Sequence, residues 1–263
     1  MGMDKKTISR DGTELAYARV GEGPAVILVS GAMSTGGTMA PLAGLLADRF
    51  TVLRYDRRGR GESGDTAPYA VEREVEDLAA LIDAAGGEAA LYGISSGGAL
   101  VLEAAAAGLP VRRVAVYETP YALDEEGTRG RAAYTADLTE ALAQGRRGDA
   151  VELFLRLTGL AEEMIRGARQ SPMWEGMEAV APTLAYDDAV MGGGAPPRER
   201  LASIAVPVLA AAGGASPPWL REATRAVADA AADGTYRVLE GQTHMVDPNV
   251  LAPVLAEFLG SRD

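Results

Sequence analysis

Two features of the sequence predict an α/β fold: a mostly parallel sheet with helices on both faces and an inserted helical cap. Short runs that are apolar throughout alternate with amphipathic segments over residues 25–117, and the same rhythm returns after residue 204. Strands that are apolar on both faces belong to sheets buried between two helix layers, since a half-solvated strand would alternate apolar and polar residues. Between residues 121 and 203, helical segments follow one another without a convincing strand. The expected organisation is therefore a core of residues 1–120 and 204–263, interrupted by a helical cap at 121–203.

The elements follow in order. An opening hairpin places strands at 7–10 and 15–20 around Asp11-Gly12-Thr13, because an Asp-Gly pair supplies the positive φ of a tight turn. Residues 25–29 form a continuous apolar strand, 39–49 a helix and 51–55 the next strand. Residues 71–85 set Val71, Val75, Leu78 and Ile82 on one helical face. A strand at 90–94, an Ala-rich helix at 98–108 and a strand at 111–117 continue the alternation. Within the cap, Ser171-Pro172 makes a helix start, and residues 192–197 make a Gly/Pro-rich return linker. A strand at 206–212, a helix at 218–232, a strand at 235–239 and a helix at 250–259 complete the chain.

Composition narrows the function. With 263 residues, 48% of them hydrophobic, the chain can bury a large core. A net charge of −12 argues against a nucleic-acid partner, since such binding draws on clustered Lys and Arg that displace counterions. Arg146-Arg147 reads as a solvated helix end. No apolar run approaches the roughly 18–20 residues that span a bilayer, and Met1-Gly2-Met3-Asp4-Lys5-Lys6 leads straight into polar sequence. A soluble cytoplasmic protein without a membrane partner is expected, its oligomeric state left open. The absence of cysteine removes disulfides, thiolate nucleophiles and thiolate metal sites together.

The chemistry centres on Gly93-Ile94-Ser95-Ser96-Gly97, a G-x-S-x-G pattern between an apolar strand and a helix. With 32 glycines and ten serines, chance alone produces about 0.15 such matches in this chain, so context must carry the reading. A serine on a strand-to-helix turn is pushed outward, and the glycines two places to either side let strand and helix approach. The competing reading is that Ser95 and Ser96 only cap the helix. A serine nucleophile needs a base, and His244, the sole histidine, follows the strand at 235–239 on a loop at the sheet's carboxyl edge.

These segments resemble the α/β-hydrolase family, cap-bearing serine hydrolase type, over nearly the whole length outside the cap. Ser30-Gly31-Ala32 stands where the family has His-Gly-x, and residues 56–63 match its D-x-R-G-x-G-x-S loop. The resemblance implies a hydrolase that needs no cofactor, with an oxyanion hole made by the backbone N–H groups of Ala32 and Ser96. It makes Asp56 and Arg58 turn organisers and Ser63 a stabiliser of their loop. The chain departs from the pattern at Ser216, where the family carries its triad aspartate. Glu118, at the end of the strand 111–117, is the expected acid, in a position that resembles an alternative one of the family; Asp247, close to His244, is the second candidate, and a Ser-His dyad is the third possibility. For Asp247 the competing role is to cap the last helix together with Pro248.

Met33, Met164, Met173, Trp174, Met177 and Met245 suggest an apolar pocket, with ordinary core packing as the competing reading. The expected partner is a small, largely apolar ester, lactone, thioester or amide. Two rivals remain: a cofactor-free perhydrolase, haloperoxidase-like or tailoring enzyme on the same fold, and a non-catalytic ligand-binding module.

Overall fold

The strands form one eight-stranded sheet in the computed structural model, which describes residues 2–261. They are β1 (Lys5–Ile8), β2 (Glu14–Val20), β3 (Ala25–Val29), β4 (Thr51–Tyr55), β5 (Ala89–Ile94), β6 (Val111–Tyr117), β7 (Val208–Gly213) and β8 (Gly234–Leu239). Their order is β1-β2-β4-β3-β5-β6-β7-β8; the β1/β2 and β2/β4 pairs are antiparallel and the others parallel. The helices are α1 (Ala40–Leu46), α2 (Val71–Ala85), α3 (Ser96–Ala106), α4 (Glu125–Ala143), α5 (Arg147–Leu157), α6 (Glu162–Arg169), α7 (Trp174–Val180), α8 (Leu184–Met191), α9 (Arg198–Ala202), α10 (Pro218–Ala230) and α11 (Pro248–Leu259).

Side chains that alternate along the central strands feed two cores. Ile27 and Val29 of β3 pack with Leu78 and Ile82 of α2, Leu100 of α3 and Val227 of α10. Val26 and Leu28 face the other way, onto Leu42 and Leu46 of α1 and Leu251 and Leu255 of α11. Full burial of one such aliphatic side chain contributes about 1.5–3 kcal/mol, so a strand apolar on both faces is most stable between two helix layers.

Between β6 and β7 lie α4 to α9, with no strand among the described residues. This segment has a core of its own, in which Tyr134 and Leu138 of α4, Val151 of α5, Trp174 of α7 and Leu184 of α8 are buried together. Val190 and Met191 of α8, Leu201 of α9 and Ile204 instead join the main core. The segment is thus bound to the sheet layer through its last helices.

Several boundaries differ from expectation: α3 runs Ser96–Ala106 where 98–108 is expected, α10 ends at Ala230, β7 runs Val208–Gly213, and three further cases have a visible cause. The first strand ends at Ile8, because Ser9 N–H donates to Thr13 O and Gly12 N–H to Ser9 O, so the turn occupies residues 9–13. The helix expected at 39–49 is a 3₁₀ turn, Gly36–Met39, followed by α1, which stops at Leu46 where the N–H groups of Arg49 and Phe50 both converge on its carbonyl. Ser171-Pro172 precedes α7 rather than starting it: Ser171 accepts from Trp174 N–H through its carbonyl, and no side chain caps the helix.

Candidate active site

Ser95 occupies the turn between β5 and α3 at φ 57° and ψ −128°. An L-residue held there costs on the order of 1–3 kcal/mol, and the surroundings show what imposes it. A Cβ on Gly93 would lie 2.2 Å from the Gly97 carbonyl oxygen, and one on Gly97 would lie 2.6 Å from the carbonyls of Val29 and Ser30. Only glycine at both places lets the chain fold back this tightly. The Ser95 hydroxyl makes no capping hydrogen bond, contrary to the capping reading, and Ser95 N–H is anchored on Tyr117 O of the next strand at 2.9 Å.

That anchor sets Glu118, the residue after β6, beside the turn. Glu118 is fully buried, its Oε1 accepts from Gly213 N–H at 2.8 Å, and its Oε2 lies 2.8 Å from His244 Nδ1. The His244 side chain is 41% exposed. Its loop is drawn in by the Tyr117 hydroxyl, which donates to Thr243 O at 2.7 Å, and by Ala215 N–H on Gln242 O. Burial and then the Glu118 charge raise the Tyr117 pKa, so the phenol remains a donor. Asp247 does not reach the imidazole; it caps α11, its side chain accepting from Asn249 N–H, a bond that holds its pKa below the ordinary value. Ser216 is buried, and its hydroxyl has no hydrogen-bond partner among the described residues.

The loop after β3 forms another wall. A Cβ on Gly31 would lie 3.0 Å from Ser95 Cβ and 3.6 Å from Ser95 Oγ, so this backbone runs directly against the serine. Ser96 begins α3, and as a first-turn residue it has no intrahelical acceptor for its N–H. Among the described non-glycine residues, positive φ occurs at Met33, Ser95 and Glu118, one on each of the three segments that meet here.

Beneath the loop lies a buried polar network that the sequence reading did not contain. Arg57 forms a bidentate pair with Glu74, at 2.7 Å for each bond, and reaches Asp187 Oδ1 at 2.7 Å. Arg60 donates to Asp187 Oδ2 at 2.6 Å, to Thr183 Oγ1 at 3.0 Å and to Gly31 O at 2.7 Å. The Ser96 hydroxyl donates to Asp187 Oδ1 at 2.8 Å. Burial pushes the Asp187 pKa up, but Arg60, Arg57 and the Ser96 hydroxyl outweigh it, and the net direction is down. One signal could have exposed this network: Asp187-Asp188 interrupts an otherwise mostly apolar helix, and two further arginines flank Arg58 and Gly59.

Asp56, Arg58 and Ser63 sit where a turn-organising role requires. Asp56 accepts from the N–H groups of Gly36 and Glu62 at 2.8 and 2.9 Å, Ser63 donates to Asp56 O, and Arg58 forms a bidentate pair with Asp77. Of the six expected pocket residues, Met33, Trp174 and Met177 meet in the cap's apolar cluster, together with Ala32. Met245 does not join them: it is 87% exposed at the tip of the loop that carries His244, and Met164 and Met173 are on the outer surface of the cap. Trp174 is itself core of the cap, with the Arg169 guanidinium 5.8 Å from its ring centroid. Two surface pockets, of about 390 and 310 Å³, are lined by cap ion pairs and by the Tyr121–Trp219 region respectively, and neither includes Ser95, Glu118 or His244. Among the described residues, no group of three His, Asp or Glu side chains could hold a metal ion, and no helix is long and apolar enough to cross a membrane.

The arrangement offers a strained serine, a histidine contacted by a buried carboxylate, and an N–H at the start of α3 with no intrahelical acceptor. Comparison with known proteins identifies the family and the fold. A family model described as "Alpha/beta hydrolase family" matches residues 26–254. An alpha/beta hydrolase from Sphaerobacter thermophilus superposes with a TM-score of 0.89 at 53% identity, covering 97% of this chain and 99% of its own. A thermophilic esterase from Thermogutta terrifontis shares the fold, with a TM-score of 0.74 at 23% identity over 97% of each chain. The pimeloyl-[acyl-carrier protein] methyl ester esterase of Xanthomonas campestris is 38% identical over 98 residues, 37% of each chain. The curated relatives are covered over only 5 to 37% of their own length.

Proposed function

The chain belongs to the alpha/beta hydrolase family and is a hydrolase; on that premise we propose that it is a serine hydrolase that cleaves a small, largely apolar ester or related acyl compound through an acyl-enzyme. The observation that carries this reading is the 2.8 Å contact between buried Glu118 Oε2 and His244 Nδ1, beside a serine held at positive φ. A carboxylate on Nδ1 holds the ring in the tautomer whose Nε2 is free to take a proton, and it stabilises the imidazolium that results.

The roles follow. Ser95 Oγ attacks the acyl carbon while His244 Nε2 takes its proton, and the carbonyl π electrons move onto oxygen. The N–H groups of Ala32 and Ser96 hydrogen-bond that oxyanion. As the carbonyl re-forms, the bond to the leaving alkoxide breaks and the imidazolium returns the proton to it. Water then repeats the sequence on the acyl-enzyme, releasing the acid and restoring Ser95. In this reading Glu118 carries the charge that Ser216 cannot, and its contact with His244 favours a triad over a dyad or a binding module that has lost its acid. The similarity to a methyl ester esterase over 98 residues supports an ester as substrate, and the apolar cluster of the cap, packed on Ala32 and Met33, supports an apolar acyl group.

Labelling by a fluorophosphonate probe tests this reading. Wild type should label and should hydrolyse 4-nitrophenyl butyrate, and Ser95→Ala should do neither. Wild type inert to both reagents, or Ser95→Ala as active as wild type, would sink the proposal.

A further inference from the structure

The Arg57–Arg60–Asp187 network joins the cap helix α8 to the loop after β3 and to the start of α3. Asp187 lies on α8, within the inserted helices, yet one of its oxygens receives the Ser96 hydroxyl and the other receives Arg60. Arg60 in turn grips Gly31 O at 2.7 Å and Ser34 O at 3.3 Å. The Gly31 carbonyl and the Ala32 N–H belong to one planar trans peptide, so fixing the direction of one fixes the opposite direction of the other. Ser96, held by its side chain, is the residue whose own N–H opens α3.

We propose that Asp187 is a positioning residue for the oxyanion hole: through Arg60 it sets the direction of the Ala32 N–H, and through the Ser96 hydroxyl it seats the Ser96 N–H. This inference rests on the serine-hydrolase reading and adds to it that the cap helix assembles the catalytic backbone of the core. Electrostatics favours the arrangement. A lone buried carboxylate near a developing oxyanion would oppose it, but Arg57, Arg60, Glu74 and Asp187 bring two charges of each sign and cancel. Directional hydrogen bonds remain, without a net negative charge against the reaction. If the Gly31–Ala32 peptide turned over, a carbonyl would face the oxyanion in place of a donor, and the grip of Arg60 is what resists this.

Asp187→Asn tests the proposal with 4-nitrophenyl butyrate as substrate and butylboronic acid, which forms a tetrahedral adduct on serine, as transition-state mimic. For the folded fraction, measured by circular dichroism, kcat should fall roughly 10- to 100-fold with KM within about twofold, and boronate binding should weaken by the same factor; this is part of the roughly 10²–10³-fold that outright loss of a donor costs. Ser96→Ala, which leaves the ion pairs in place, should lower kcat in the same pattern by about three- to tenfold, and the double variant should be no worse than Asp187→Asn alone, because the two residues act as one unit. Tyr186→Phe removes another anchor of α8, the bond to Asp65, and should leave kcat and KM unchanged. Cap variants with wild-type kcat per folded molecule, or boronate affinity and KM shifting together, would overturn the proposal. Failure of the underlying reading shows elsewhere, in a wild type inert to ester and fluorophosphonate.

Discussion

Two buried carboxylates touch the candidate site, and they differ in what surrounds them. Glu118 comes from the end of a core strand and meets one backbone N–H and one partly exposed imidazole. Asp187 comes from the cap and meets two guanidiniums and a hydroxyl, all buried. The neighbours decide the roles available to each. An imidazole can accept a proton and return it, so a carboxylate on its Nδ1 can orient the ring and stabilise the imidazolium. Arginine stays charged throughout, so a carboxylate between two of them can only hold its partners in place.

The largest effect that would test this contrast is on the nucleophile. Ser95→Ala should lower kcat by on the order of 10⁴–10⁶-fold, with substrate binding retained, as read by ester hydrolysis and equilibrium binding of the product acid. Glu118→Gln comes next. It keeps the shape but lets the wrong tautomer form, and kcat should fall by about 10²–10⁴-fold. Asp247→Asn, by contrast, should stay within about twofold in kcat, because its carboxylate serves a helix cap. The contrast breaks if those two results are exchanged.

On the Asp187 side the dominant effect should be on stability. Removing one partner of a buried ion pair costs roughly 3–5 kcal/mol, so Asp187→Asn should unfold at distinctly lower urea concentration than wild type at pH 7. Because the folded-state pKa of Asp187 is depressed, its contribution is complete above the unfolded value of about 3.9 and is lost as pH falls through the folded value. The urea midpoints of wild type and Asp187→Asn should therefore converge only below about pH 4; convergence at neutral pH would show that the carboxylate stabilises nothing. A modest effect is expected from Tyr117→Phe, which loses the hydrogen bond to Thr243 O and loosens the loop carrying His244. A change of about 1 kcal/mol, or roughly fivefold in kcat, should result.

How much was legible in the sequence varies with the range of the interaction. The strand and helix at 111–117 and 71–85 could be placed to the residue, because hydrophobic period and turn chemistry are local. The hairpin slipped by two residues because its turn is closed by Ser9, whose role depends on a backbone bond to Thr13 that composition does not reveal. Met245 stood next to His244 in sequence and yet points away from the apolar cluster, since adjacent residues on an irregular loop need not share a face. Arg57 and Arg60 could be seen as charges in a turn, but nothing local said they would be buried.

The sequence by itself determined the alternation of strands and helices, the glycine-flanked serine and the single histidine after the last strand, because each rests on the preferences of neighbouring residues. It also offered Glu118 and Asp247 as acids and favoured Glu118, without fixing its contact with the imidazole. Only the tertiary structure decided that Glu118 faces the imidazole, 126 residues away along the chain, and that Asp187 reaches Ser96 across 91 residues and Arg57 across 130. Such hydrogen bonds need atoms brought within about 3 Å by the packing of the whole sheet and cap, and no periodicity of the chain encodes that distance.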